Sequence, residues 1–370
     1  MTLGRACRIG IDGRALRGFV EGRRTGVARY TWELCKELDK LLPMAQFFVY
    51  SPVPIELPVH SDRWQIRIET SALFRRLKPV LWSRYRCGRI ASRDNLEAFW
   101  AAGSFLPKLP NSVRTILTVY DLTYKYAPES MELSHKAAFK LFFKKDLLRA
   151  DRVTTISQGT ADRVFETFER KIDAIIYPSV QAIPMNRSPD MIQDSLSLFG
   201  IKTPFILAVG TLELRKNVAL LIRSMRQLKQ CGKLSDYSLV LVGGKGWHTK
   251  IILENVKKDP WIKLLGYVED ERLADLYQAC SVFAFPSIYE GFGMPVLEAR
   301  SFGARVVTID LPELREAGGE ESIYAEPTLD SFAQALLTAA EADSVPGGAC
   351  VIDWPTWKDG AAALSGQLQK

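Results

Sequence analysis

The sequence predicts an α/β protein with two parallel-sheet domains. Three observations carry this. The chain has 370 residues, enough for two separate cores. Short apolar runs alternate with stretches of helical period, and the alternation occurs twice. Between the two series, Gln181 to Asp194 carries prolines, asparagine and serine without periodicity, as a linker does. The expected division is 1–185 and 186–353.

Taken in order, Arg8-Ile9-Gly10-Ile11-Asp12-Gly13 reads as a strand entering a glycine turn. A loop rich in glycine and arginine follows, Gly18 to Arg24, and then a helix on which Val27, Tyr30, Leu34 and Leu38 share a face. Gln46 to Tyr50 and Trp64 to Ile68 are strands. Phe74 to Ile90 mixes six Arg and Lys residues with Phe74, Leu77, Leu81, Trp82 and Tyr85. Such a basic amphipathic stretch fits an anionic membrane surface or a core-facing helix with a solvated basic face. Leu96 to Trp100 and Thr115 to Tyr120 are strands, Ala137 to Leu148 a helix, Arg152 to Ser157 a strand and Gly159 to Phe168 a helix. After the linker, Phe205 to Gly210 opens the second series, and Val218, Leu221, Ile222 and Met225 form an apolar helical face. Strands at Ser238 to Val242, Ile262 to Leu265 and Arg305 to Thr308 follow, and the tail from Trp354 ends in a helix.

Composition narrows the function. The net charge of +7 suits an anionic ligand or surface. The six cysteines lie far apart without a C-x-x-C pair, and the three histidines have no metal-ligand spacing. Thiols in apolar runs read as reduced, which points to a cytoplasmic protein. No Asp-x-Asp pair occurs, so no Mg²⁺ or Mn²⁺ site for a nucleotide diphosphate is expected. The N-terminus carries no signal-peptide core, no apolar run approaches the ~20 residues of a membrane span, and no base-reading module supports nucleic-acid binding.

The chain centres on Ser281 to Gly303, SVFAFPSIYEGFGMPVLEARSFG. Val282 to Phe285 is a buried strand, Pro286 stops it, and Ser287 to Gly293 is a glycine loop. Pro295 suits the start of a helix, whose N–H groups and dipole favour an anion. Two carboxylates flank that anion site, Glu290 and Glu298, with seven residues between them. Beside a phosphate, a carboxylate accepts hydrogen bonds from sugar hydroxyls.

EGFGMPVLEA resembles the E-x7-E signature of retaining GT-B glycosyltransferases, family 4. The resemblance extends over nearly the whole chain. It implies two Rossmann-like, doubly wound domains facing a cleft, with a C-terminal helix, 354–370, crossing back to the first. By resemblance the first domain takes the acceptor and the second the nucleotide sugar. Thr211 to Asn217 resembles the family's phosphate-binding turn. Lys216 and Arg215 are then the cations for the leaving diphosphate, and Glu290 the contact to the donor sugar. Tyr120-Asp121-Leu122 resembles the family's His-Asp-Leu turn and places Tyr120 and Asp121 in the catalytic set. Gly26, Gly210, Thr211, Tyr267, Val268, Gly291, Phe292, Gly293, Met294, Pro295 and Glu298 make up the expected nucleotide-sugar site, with Glu298 on the ribose. The sequence departs from the family at Tyr120, where a histidine is usual, and at Thr211, where many members carry arginine.

GTLELRKN, IDGRAL and TGVARYT look most like members that transfer mannose from GDP-mannose. The resemblance thus implies a metal-independent hexosyltransferase without cofactor. It would act on a growing polysaccharide or polyprenyl-linked glycan such as O-antigen, with peripheral contact at the inner face of the cytoplasmic membrane. UDP- and dTDP-sugars stay open as donors, as does a non-catalytic, transferase-like binding subunit. An NAD-dependent enzyme would need a G-x-G-x-x-G at a strand end, which is missing. A glycosidase pair must flank the scissile bond, whereas Glu290 and Glu298 share one turn.

Overall fold

A computed structural model describes residues 7–17, 25–180, 188–244, 246, 254, 259–342 and 352–369. The loop Gly18 to Arg24, the first part of the expected linker, His248 and Cys350 lie outside the described residues. The chain forms two compact units. One comprises 1–122, 133–178 and 355–370, the other 123–132 and 179–354.

The first unit holds a seven-stranded sheet. Its strands are β1 (Arg8–Asp12), β2 (Gln46–Ser51), β3 (Trp64–Ile68), β4 (Ala98–Ala101), β5 (Arg114–Val119), β6 (Arg152–Thr155) and β7 (Ala174–Ile175), in the order β3-β2-β1-β4-β5-β6-β7. Every pairing is parallel, and Ile11 lies between Val49 and Trp100. A parallel sheet is covered on both faces, which is why β2 and β4 read as unbroken apolar runs. The helix Gly26–Leu41 starts at Thr25, whose hydroxyl accepts from the Ala28 N–H at 3.3 Å. It buries Tyr30, Leu34 and Leu38, as its period predicts. The last helix, Trp357–Gln369, belongs to this unit. It meets Gly26–Leu41 closely enough that a Cβ on Gly360 would stand 3.3 Å from Leu34 Cδ2 and Ile176 Cγ2. Trp357 meets the Tyr30 ring edge-on at 5.9 Å.

The basic stretch from Phe74 resolves into the helix Ala72–Arg75 and a helical run from Pro79 to Ala91 with a π turn at Ser83–Cys87. Its inner face is core. Trp82 is fully buried and donates to Glu69 at 3.1 Å, Arg86 pairs with the same carboxylate at 3.0 Å, and Arg84 pairs with buried Asp146 at 2.7 Å.

The second unit holds a six-stranded sheet of β8 (Phe205–Val209), β9 (Ser238–Val242), β10 (Ile262–Gly266), β11 (Val282–Phe285), β12 (Val306–Ile309) and β13 (Ile323–Ala325), in the order β10-β9-β8-β11-β12-β13. All pairings are again parallel. The helix Val218–Gln230 buries Val218, Leu221, Ile222 and Met225 in one cluster with Phe332 and Leu336 of the helix Leu329–Glu341. Strand order reverses between β8 and β11, so the loops leaving their carboxyl ends diverge and leave room for a ligand. Among the described residues, no helix of either unit is long and apolar enough to cross a membrane.

Two sequence expectations need correction. The linker does not run to Asp194, because Pro189–Phe199 is a helix. Ser188 and Pro189, read as loop residues, are its cap and first turn: the Ser188 hydroxyl accepts from the Met191 N–H at 3.3 Å. The stretch Thr123–Glu132 belongs with the second unit, not the first. Ser130 and Tyr126 anchor it there, through partners far away in sequence.

Candidate functional site

The candidate site is built on two turns at the strand-order reversal of the second sheet. The first leaves β8. Gly210 has φ +150 and donates its N–H to Val242 O at 2.9 Å. Gly243 packs against it so closely that a Cβ there would stand 2.0 Å from Gly210 O. Thr211 is exposed, and Leu212 donates to Gly244 O at 3.0 Å. A short 3-10 turn, Leu214–Lys216, then passes through Asn217 at φ +48, a conformation asparagine tolerates better than most residues, into the helix Val218–Gln230.

The second turn leaves β11. Tyr289, Glu290, Gly291 and Phe292 are all buried, Phe292 against Trp354 at 5.5 Å. Gly293 enters the helix Met294–Ser301 at φ +105, and a Cβ there would meet Leu314 Cδ2 at 2.6 Å. Geometry and space both require glycine. Met294 and Pro295 form the first helical turn, half-buried.

Ionic contacts stitch the two turns together. Lys216 Nζ lies 2.5 Å from Glu290 Oε1 and 4.7 Å above the Phe285 ring. Arg215 Nη1 lies 2.9 Å from Glu290 Oε2 and donates to Tyr289 O at 3.2 Å, while its Nε holds Glu213 at 3.1 Å. The Ile288 N–H donates to Arg215 O at 2.9 Å. Burial by itself would raise the Glu290 carboxyl, but Arg215 and Lys216 outweigh it and hold the group at about 2. Lys216 is lowered by its burial, with Arg215 adding to that, although Glu290 opposes it. The result is a largely buried corner in which two cations share one carboxylate.

Glu298 is buried in the helix after the glycine loop, and its Oε2 accepts from the Tyr277 hydroxyl at 3.0 Å. Tyr277 is clamped in turn between Phe283, edge-on at 5.4 Å, and Phe302, stacked at 5.8 Å. Tyr267 is 51% exposed and Val268 buried, just after Gly266, which has φ +72.

The first unit contains Gly26, Tyr120 and Asp121. Gly26 is exposed at the start of its helix, and Asp121 is half-buried. Tyr120 is a packed residue, 7% exposed. Its ring meets Tyr30 edge-on at 5.5 Å and its hydroxyl lies 3.4 Å from the Thr31 hydroxyl. Burial pushes its phenol upward, so it stays neutral.

Residues 203–342, which span both turns, match the family model of glycosyl transferases group 1. The chain carries a group 1 glycosyltransferase domain. The transferase is 29% identical over 343 residues to the O-antigen chain mannosyltransferase B of Escherichia coli, covering 86% of this chain and 88% of that protein. It is 27% identical over 277 residues to the O-antigen chain mannosyltransferase RfbU of Salmonella typhimurium, covering 72% of each. Among solved structures it matches WaaG, a glycosyltransferase involved in lipopolysaccharide biosynthesis, with a TM-score of 0.69 at 13% identity, over 96% of this chain and 94% of that one. Anabaena HepE, solved with UDP and glucose, matches with a TM-score of 0.65 at 16% identity, over 98% and 95%. These likenesses establish the GT-B fold of the transferase.

Several residues of this site escaped sequence reasoning. Tyr277, which orients Glu298, reads in sequence as one more apolar position of its helix. Ser130 accepts from the Arg215 N–H at 3.0 Å, and Tyr126 stacks on Tyr289 at 5.5 Å. No local pattern links Ser130 to a turn 85 residues away.

Proposed function

We propose that the transferase moves mannose from GDP-mannose, with retained anomeric configuration and no divalent cation. The acceptor is a growing polysaccharide or lipid-linked glycan such as O-antigen, met at the inner face of the cytoplasmic membrane. The Lys216–Glu290–Arg215 cluster carries this reading. In the reaction, Lys216 and Arg215 take up the charge that develops on the departing diphosphate, and the start of the helix Met294–Ser301 adds its dipole. Glu290, released from them, accepts hydrogen bonds from the donor sugar, and Glu298, steadied by Tyr277, faces the ribose. Both Glu290 oxygens are committed to cations before the donor arrives, and to the donor's hydroxyls after it, so neither is set up to attack the anomeric carbon. That favours a same-face reaction, in which the departing phosphate oxygen takes the acceptor proton, over a covalent intermediate on Glu290. The mannosyltransferase names of the relatives support the sugar.

The test offers labelled GDP-mannose, UDP-sugars and dTDP-sugars, each with a lipid-linked glycan acceptor, in excess chelator. The expected result is α-linked label from GDP-mannose alone. Loss of transfer in chelator, restored by Mn²⁺, overturns the metal-free mechanism. Preferred transfer from another nucleotide overturns the donor assignment.

A further inference from the structure

We propose that the outer face of the helical run from Leu133 to Arg149, in the first unit, docks on an anionic lipid bilayer. The run consists of Leu133–Ala138, a π turn at Phe139–Phe143 and Lys144–Arg149. Its inner face is committed to the core through Phe143 and Leu147, both fully buried. Its outer face is apolar as well. Leu133 is 82% exposed, Leu141 70% and Leu148 52%. With exposed Ala137 and Lys145 they follow the spacing 133, 137, 141, 145, 148, a single stripe along one side of a helix. Lys140 and Lys144 flank the stripe, also exposed. Lys140, Leu141, Lys144, Lys145, Leu148 and Arg149 border a shallow hollow of about 580 Å³.

The charge on this face has one sign. Asp146 is the sole acid between Leu133 and Arg149; it is fully buried and paired with Arg84 at 2.7 Å and Arg149 at 3.0 Å. The neighbouring surface continues the pattern. Arg84 lies 4.5 Å above the Phe142 ring, which joins the run to the helical stretch carrying exposed Tyr85 and Arg89. From Thr70 to Arg93 that part of the chain contains no acidic residue.

Charge complementarity decides the occupant. Lysines interleaved with exposed leucines suit an interface in which the leucines enter the acyl boundary while the ammonium groups reach up to phosphate headgroups. A polynucleotide would use the lysines and leave the leucines in water. The inference deepens the proposed function, because it names the surface by which a lipid-linked acceptor is approached. It places the main membrane contact on this face, beside the stretch Phe74 to Ile90 whose inner side is core.

The test is co-sedimentation of the full chain with vesicles, in the absence of any sugar nucleotide. Phosphatidylcholine vesicles are compared with vesicles that also contain phosphatidylglycerol. Binding is expected to the mixed vesicles, weakening with added salt. Two double variants, Leu141→Gln with Leu148→Gln and Lys144→Gln with Lys145→Gln, should each weaken it by roughly tenfold or more. A control pair in the second unit, Lys202→Gln with Lys233→Gln, should bind like the parent. All six positions are exposed, so unchanged melting curves are expected and serve as the folding check. Equal binding to both vesicle types overturns the proposal. So does an undiminished Leu141→Gln, Leu148→Gln variant, or the release of bound protein by single-stranded RNA. Transfer to a water-soluble acceptor is measured separately, so a failed vesicle test leaves the proposed reaction standing, and the converse.

Discussion

At the scale of single residues, Glu290 sets the state of both cations. It occupies Lys216 and Arg215 together, so under the proposed function a diphosphate would have to compete with it. Replacement of Lys216 by alanine should lower turnover by about 10²- to 10³-fold, the scale of one lost transition-state donor. Glu290→Gln should also lower turnover, yet bind free GDP more tightly than the parent, because the cations no longer face an internal anion. Calorimetric titration with GDP checks this; weaker binding by the variant would make Glu290 a nucleotide ligand. The same carboxylate leaves a signature in acid. Its native value of about 2 lies below the ordinary 4.5, so its stabilising effect is complete above about pH 4.5 and is lost as the pH falls toward 2. Urea unfolding of parent and Glu290→Gln at pH 7 and pH 3 should show the parent losing ground to the variant at the lower pH. Tyr120 makes a contrasting case. Its family-like position suggested a donor contact, whereas its ring is packed against Tyr30. Tyr120→Phe should cost about 0.5–1.5 kcal/mol of stability, one neutral hydrogen bond, with turnover unchanged; a drop in turnover at intact stability would return Tyr120 to the site.

At the scale of elements, the site depends on turns stiffened from outside. The stretch Thr123–Glu132 touches the β8 turn through Ser130 and the β11 turn through Tyr126. Ser130→Ala removes the acceptor of the Arg215 N–H and should lower kcat more than it raises KM, with Ser130→Thr restoring much of the loss. If kcat and KM stay at the parent's values in Ser130→Ala, the contact has no positioning role. The turns themselves were legible in sequence, since glycines, prolines and the strand-to-helix change of period are local signals. The linker helix Pro189–Phe199 was missed because Ser-Pro-Asp marks a loop and a helix start equally well. The anchoring of Thr123–Glu132 and the pairing of Tyr277 with Glu298 were not legible, because each depends on partners brought together only by tertiary packing.

On the whole-molecule scale, both parallel sheets followed from the alternation of strand and helix, and the final helix joined the first unit as the resemblance implied. What holds that helix is a contact between small and large residues. Gly360 fits against Leu34 and Ile176 with little room to spare. Gly360→Leu should overpack the contact and destabilise the first unit by about 1–3 kcal/mol. Because the two units have separate cores, thermal unfolding should split into two transitions, with only the first unit's shifted; a single transition shifted as a whole would show that the units unfold together.

Neither unit is one uninterrupted length of chain, and this shapes how the protein is made. The ribosome delivers the first seven strands long before the helix Trp357–Gln369 emerges. Until then Tyr30, Leu34 and Ile176 lack the helix that packs against them. The second unit receives its outlying piece, Thr123–Glu132, early, and all its pieces are made before the helix Trp357–Gln369. Of the two, the unit that holds β1 is therefore the one whose last piece is made later. A gene cut near residue 180 gives two halves, each lacking a part that the other half encodes.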